Sequence, residues 1–152
     1  MRTTPTPQAL SLIVRRVIAT PPTRLFEAWT QPEQVMSWWG PRNVACVDAT
    51  IEARAGGRYR IGNRFPDGRV VWIVGEFEVV EPPHRLVYSW RLEPGGGPAE
   101  RVTVRFEPRD KDRTELIVIH ERIVTIETRD QHELGWHGCL EGLERFLMAS
   151  SA

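Results

Sequence analysis

Arg129-Asp-Gln-His-Glu-Leu-Gly-Trp-His-Gly-Cys-Leu-Glu-Gly-Leu-Glu-Arg-Phe-Leu-Met148 reads as one long amphipathic helix. Trp136, Cys139, Leu140, Leu143, Phe146 and Leu147 recur at i, i+3, i+4 and i+7, the spacing of a single helical face. Glu133, His137, Glu141 and Glu144 take the other side. An apolar stripe this wide has to be buried. The strands that precede the helix are the only partner of sufficient size, so the chain is expected to be an α+β domain with this helix laid against a sheet.

Working outward, the hydrophobic period is two across residues 44–120. Candidate strands cover 44–54, 58–65, 70–80, 85–92, 101–108 and 114–120. Gly56-Gly57, Pro66-Asp67-Gly68, Pro82-Pro83, Gly95-Gly96-Gly97-Pro98 and Asp110-Lys111-Asp112 separate them, and each is turn chemistry. Connections this short join antiparallel neighbours, because parallel strands need crossovers of about a dozen residues. Upstream, Leu10 to Ile18 is rich in β-branched residues and reads as a first strand. Thr20-Pro21-Pro22-Thr23 offers a helix start with Thr20 as N-cap. Leu25, Phe26 and Trp29 carry that short helix to Thr30, and a second one from Pro32 carries Val35, Met36 and Trp39 until Gly40-Pro41 stops it. Residues 1–9 are expected to be a flexible tail, 10–148 a single domain and 149–152 a second tail.

Composition removes several functions. A chain of 152 residues buries roughly 70% of its unfolded surface and needs no disulfide or structural metal. Lys+Arg and Asp+Glu both total 20, which leaves no sustained positive field for nucleic acid or an anionic membrane. Lys111, the only lysine, sits in a turn between two aspartates. Schiff-base chemistry needs a desolvated amine and is set aside. Cys46 and Cys139 have no metal-ligand spacing and read as reduced, partly buried thiols of a cytoplasmic protein. No apolar run approaches the ~18 residues of a membrane span, and no export signal is legible. Gly95-Gly96-Gly97 lacks the Lys-Ser/Thr of a phosphate loop, and there is no Gly-x-Ser-x-Gly nucleophile turn. No cofactor is expected.

The order of strand, two short helices, six strands and a long helix resembles the START-like (helix-grip, SRPBCC) superfamily. Local motifs are closest to its branch homologous to the C-terminal domain of the heat-shock-chaperone ATPase activator. They are Thr20-Pro-Pro-Thr-Arg-Leu-Phe-Glu-Ala-Trp29, Trp38-Trp-Gly-Pro41, Ala55-Gly-Gly-Arg-Tyr59, Gly75-Glu-Phe-Glu-Val-Val-Glu-Pro-Pro-His-Arg-Leu-Val87, Tyr88-Ser-Trp90, the run ending at His120, and Gly135-Trp136 with Leu140 and Leu143. The resemblance implies a curved antiparallel sheet of about seven strands wrapped around the C-terminal helix. It also implies a ligand space between the two. Chaperone activation is the less expected of the family's roles, because the separate N-terminal domain of the eukaryotic activator has no counterpart here.

Periodicity names candidate walls for that space. Tyr59, Asn63 and Phe65 share one strand face, with Arg58, Arg60 and Arg64 on the other. Tyr88 and Trp90 share a face, Trp72 lies in a strand apolar on both sides, and a bulge near Gly75 would shift its register. Trp39 is placed beside Val35 and Met36, and the helix contributes Trp136, Cys139, Leu140 and Leu143. His120 ends an inward row with Leu116 and Val118. It reads either as an acid/base or ligand anchor, or as a core-edge histidine satisfied by the backbone. The arginine row reads as a solvated, ion-paired face. Glu133, His137 and Glu141, spaced i, i+4, i+8, also read as solvated, and no metal site is expected.

The leading functional reading is a pocket for a small apolar or aromatic molecule. The alternatives are a co-chaperone-like or stress-response domain that binds a protein partner or a second copy, and a cyclase- or isomerase-type enzyme using His120.

Overall fold

Period-two strands with tight turns fold as a single antiparallel sheet. The computed structural model describes residues 9–41 and 43–150. Its elements are β1 (Leu10–Ile18), α1 (Pro22–Thr30), α2 (Pro32–Trp38), β2 (Ala45–Ile51), β3 (Arg58–Arg64), β4 (Val70–Glu81), β5 (Arg85–Glu93), β6 (Glu100–Asp110), β7 (Arg113–Ile123) and α3 (Ile126–Ser150). The seven strands lie in the order β1-β7-β6-β5-β4-β3-β2, every neighbouring pair antiparallel. This is the expected α+β helix-grip architecture. Of the expected N-terminal tail, residues 1–8 lie outside the described residues, as do 151 and 152.

One face of the sheet takes the helix. Val102, Val104 and Phe106 of β6 and Leu116, Val118 and His120 of β7 are all at most 1% exposed, and Leu140 and Leu143 of α3 are fully buried above them. Burying side chains of this size contributes roughly 1.5–3 kcal/mol each. Five of the six tryptophans form one continuous cluster: Trp29 stacks on Trp136 at 6.0 Å, Trp38 lies tilted against Trp29 at 5.0 Å, and Trp39 and Trp90 flank Trp136 at 5.5 and 5.6 Å.

Three local expectations are corrected. Thr20 does not cap α1: Pro21 holds the N-cap position, and the buried Thr20 carbonyl accepts the Thr114 hydroxyl at 2.7 Å, tying β1 to β7. The long helix begins before residue 129, because Thr125 Oγ1 accepts the Thr128 backbone N–H at 3.1 Å and caps it there. It also continues to Ser150, through the start of the expected second tail. The register shift in β4 comes between Phe77 and Val79, beyond Gly75. Ile73 and Phe77 therefore face inward and Trp72 faces outward, where the Arg60 guanidinium lies 4.0 Å over its ring.

Gly75 and Gly142 are among the glycines that admit close approach. A Cβ at Gly75 would sit 2.0 Å from the Ser89 carbonyl oxygen, beside which the Tyr59 hydroxyl donates to that oxygen at 2.6 Å. A Cβ at Gly142 would sit 2.6 Å from the Trp38 carbonyl oxygen, where α2 crosses α3. Gly135, on the same helix, would meet nothing within 4 Å.

The two helix glycines should thus respond in opposite directions to alanine. Gly135→Ala should gain up to about 1 kcal/mol from helix propensity. Gly142→Ala should lose about 1–3 kcal/mol despite the same propensity gain, because α2 must move off α3. Urea denaturation of both variants checks this. Equal gains would show that α2 and α3 are not packed this closely.

Candidate functional site

At one end of the sheet, where the helix diverges from β3, β4 and β5, an open cleft of about 590 Å³ remains. Trp39, Phe65, Val71, Ile73, Trp90, Leu92 and Trp136 make its walls, with Asn63, Arg69, Gln131, His132 and Cys139 among them. Deeper in, among Trp29, Trp38, Tyr59, Phe77 and Tyr88, the remaining void is about 20 Å³, room for about one water. The ligand space is consequently an open cleft beside a filled core.

The periodicity-derived residues divide between these two places. Trp39, Asn63, Phe65, Trp90, Trp136 and Cys139 come together at the cleft. Tyr59 and Tyr88 line the small inner void instead, because their strand positions lie further along the sheet, under the tryptophan cluster. Leu140 and Leu143 share the helix stripe but are fully buried past the cleft's inner end. Trp72 is on the opposite face, as described. Trp39 reaches the cleft for a reason other than helical phase: it is the C-cap residue of α2, extended at φ −71 and ψ 142, so the chain has already left the helix.

Two buried polar atoms at the cleft lack partners. Among the described residues four such side-chain atoms occur; two are Nε of Arg101 and Arg129, and the others are Asn63 Oδ1 and Trp90 Nε1. Asn63 is 5% and Trp90 7% exposed, and both line the cleft. Leaving such a group unsatisfied costs about 1–3 kcal/mol.

Beside them lies a connected polar chain. The Trp136 Nε1–H donates to His120 Nδ1 at 3.0 Å. An indole N–H only donates, so Nδ1 carries the lone pair and Nε2 the proton. That Nε2–H donates to Glu100 Oε1 at 2.8 Å, and His132 Nε2 reaches the same oxygen at 2.8 Å. The two imidazoles stack at 4.4 Å. Burial alone would raise the Glu100 pKa, but the hydrogen bonds and positive ends of His120 and His132 outweigh it and bring it down to about 2. Burial lowers the pKa of His120 below 6.5, only partly opposed by its bond to Glu100.

His120 is completely buried, so it organises this chain and does not itself line the cleft. His132 does line it. Both missed residues had a signal: His132 stands four residues before Trp136 on the helix stripe, and Glu100 is in phase with Val102, Val104 and Phe106. The ligand atoms of Glu100, His120 and His132 lie within 4.8 Å of one another, a spacing that invites a metal. The tautomer argues against it. A histidine binding metal through Nε2 donates from Nδ1 to its supporting partner, whereas His120 Nδ1 faces a donor. Glu133, His137 and Glu141 are exposed.

A hollow of about 650 Å³ on the outer face is bordered by Glu52, Arg58, Arg60, Glu76, Arg91 and Glu93. Arg91 pairs with Glu93 at 3.3 Å and Arg54 with Glu52 at 3.3 Å. Glu52, Arg58, Arg60 and Glu76 show no ion pair with one another among the described residues, and the Arg60 guanidinium lies over Trp72; charges this exposed read as a solvated face.

The family model described as Activator of Hsp90 ATPase homolog 1-like protein matches residues 19–148. Protein CV1439 from Chromobacterium violaceum is similar in structure, with 25% identity, a TM-score of 0.81, and coverage of 89% of this chain and 94% of that one. A protein from Rhodobacter sphaeroides is 28% identical, with a TM-score of 0.80 and coverage of 91% and 92%. The AHSA1 protein from Silicibacter pomeroyi shares the fold, at 22% identity, a TM-score of 0.84, and coverage of 93% and 99%. No curated protein matches the chain in sequence.

The polar chain makes stability depend on pH with a definite sign. His120 and Glu100 both have folded pKa values below their ordinary 6.5 and 4.5. The unfolded chain therefore binds more protons, and stability falls as pH is lowered through each window. The His120 share begins to be lost below pH 6.5, and the Glu100 share is lost from 4.5 toward 2. The urea midpoint should drop between pH 7 and pH 5, and His120→Gln should flatten that drop. A variant that keeps the full wild-type slope would remove His120 as its source.

Proposed function

Since the chain belongs to the Activator of Hsp90 ATPase homolog 1-like family, within the START-like helix-grip superfamily, we propose that it binds a small, largely apolar aromatic molecule in the cleft between sheet and C-terminal helix. The observation that carries this reading is the cleft itself, about 590 Å³, walled by Trp39, Phe65, Val71, Ile73, Trp90 and Trp136 with Asn63, Arg69, Gln131 and His132 as its polar positions. A ligand with one hydroxyl or carbonyl group satisfies such a wall. Apolar area supplies most of the affinity, and a few polar atoms fix orientation.

A cytoplasmic location is part of the same proposal. Cys46 and Cys139 are free thiols, and burial pushes the Cys139 pKa up to about 12. No helix among the described residues is long and apolar enough to cross a membrane. Protein purified without reductant should release both thiols to a maleimide after denaturation. Cys139 should stay unreactive while folded. Absence of free thiol would overturn the compartment.

Binding is tested by NMR titration with 2-naphthol and with naphthalene. The expected affinity for 2-naphthol is on the order of micromolar. Naphthalene should bind about tenfold more weakly, since it offers no hydrogen bond to the polar side chains of the cleft. The Trp90 indole cross-peak should shift most, and Asn63→Leu should narrow the difference between the probes. Gly135→Phe, placed in open space on the cleft wall, should block both probes in a folded protein. No saturable shift with either probe would sink the ligand-binding reading.

A further inference from the structure

Aromatic walls account for affinity toward rings but not for the charge at the cleft. Among the described residues that border it there is no Asp or Glu, and Arg69 is its permanent cation. Other hollows of the molecule differ. The one on the outer face has Glu52, Glu76 and Glu93 at its border, the one beside the β5–β6 turn has Glu100, and the one between the α2–β2 connection and α3 has Glu141. An anion entering the cleft meets a cation and no carboxylate on the wall.

The turn that joins β3 to β4 places Arg69. The Phe65 N–H donates to the Arg69 carbonyl at 2.9 Å, and the Gly68 N–H donates to the Phe65 carbonyl at 2.9 Å. The guanidinium lies 5.2 Å from the centroid of the Phe65 ring, and both residues border the cleft. A cation over an aromatic face is attracted to it, so the charge is held beside an aromatic wall at the rim. The acid on the same turn is Asp67. Its Oδ1 accepts the Arg69 backbone N–H at 2.9 Å, which commits this carboxylate to the turn. Its Oδ2 stays 4.0 Å from Arg69 Nε, beyond hydrogen-bond length, and the Arg69 and Asp67 side chains are 66% and 65% exposed. A pair this exposed contributes little. The guanidinium therefore keeps its hydrogen-bond donors for another partner.

We infer that the ligand is an aromatic carboxylate, its rings among Trp39, Phe65, Trp90 and Trp136 and its carboxylate group at the cleft mouth on the Arg69 guanidinium. The inference rests on the cleft being the ligand site and names the ligand's charge. A single permanent cation matches a single negative charge, and the planar fork of arginine matches the two oxygens of a carboxylate. The rim position lets the carboxylate stay partly hydrated while the rings are buried, which keeps the desolvation cost of the charge small.

The test is NMR titration at neutral pH with three probes of one ring system: 2-naphthoate, 2-naphthamide and the 2-naphthylmethylammonium cation. Naphthoate should bind about tenfold tighter than the neutral amide, and the cation should bind most weakly. Raising NaCl from about 0.05 to 0.5 M should weaken naphthoate severalfold and leave naphthamide unchanged. Arg69→Gln should bring naphthoate down to the level of naphthamide without altering naphthamide itself, and Arg69→Lys should restore part of the difference. Asp67→Asn keeps an acceptor for the turn and removes the competing charge, so it should tighten naphthoate. The salt dependence and the probe series are read on the wild-type protein and do not depend on any variant folding. Equal binding of naphthoate and naphthamide, preference for the cation, or a naphthoate advantage that survives in Arg69→Gln overturns the anionic ligand but leaves the cleft as a binding site. Failure of all three probes and of 2-naphthol to bind overturns both.

Discussion

Trp136 has to be buried, and its indole N–H has to be met where it is buried. The ring is 3% exposed, packed among Trp29, Trp39 and Trp90, and its single donor goes to His120 Nδ1. That one bond joins the helix stripe to β7. It also sets the His120 tautomer, which points a proton at Glu100 and makes Glu100 an acceptor shared with His132. The hydrophobic driving force and the polar cluster are therefore coupled through one atom pair. A buried polar network of this kind is stable only when every member is satisfied.

The same packing explains why a cleft survives in a well-filled domain. Toward the middle of the sheet, Leu140 and Leu143 share one core cluster with Val102, Val104, Phe106, Leu116 and Val118, all within 1% of complete burial. Toward the other end, Gly135 brings no side chain, and Asn63 is the row's one polar member, after Tyr59 and Ile61. The space left there is bounded largely by the rings of Trp39, Phe65, Trp90 and Trp136, with Arg69 and Gln131 among them. Two buried polar atoms that β3 and β5 contribute beside it, Asn63 Oδ1 and Trp90 Nε1, have no partner among the described residues.

Charge is arranged to keep the rest of the surface neutral in effect. The arginines of β3 face outward, one of them over Trp72, and Arg101 reaches Glu78 at 3.0 Å across the sheet. The acid that escapes this outward pattern is Glu100, at the first position of β6, opposite Trp90 in the register. Its place at a strand end leaves it at the mouth of the sheet, where a helix residue can reach it.

Local patterns in the sequence were sufficient for the architecture, because strand period, turn residues and a helix stripe are each set by neighbours along the chain. They also assigned His120, Asn63 and Trp136 to inward faces. Depth along those faces was not legible. Trp136 and Leu143 belong to one stripe, yet the first borders the cleft and the second is sealed in the core, because the divergence of helix and sheet separates them. The same holds for Asn63 and Tyr59 on β3. Nor could any local rule pair Glu100 with His120 and His132, which lie 20 and 32 residues away. Sequence alone determined which side of most elements is buried, since that depends on periodicity, but not of β4, apolar on both sides around Trp72. Only the tertiary structure decided which buried groups meet, since that depends on strand register and on where the helix crosses the sheet.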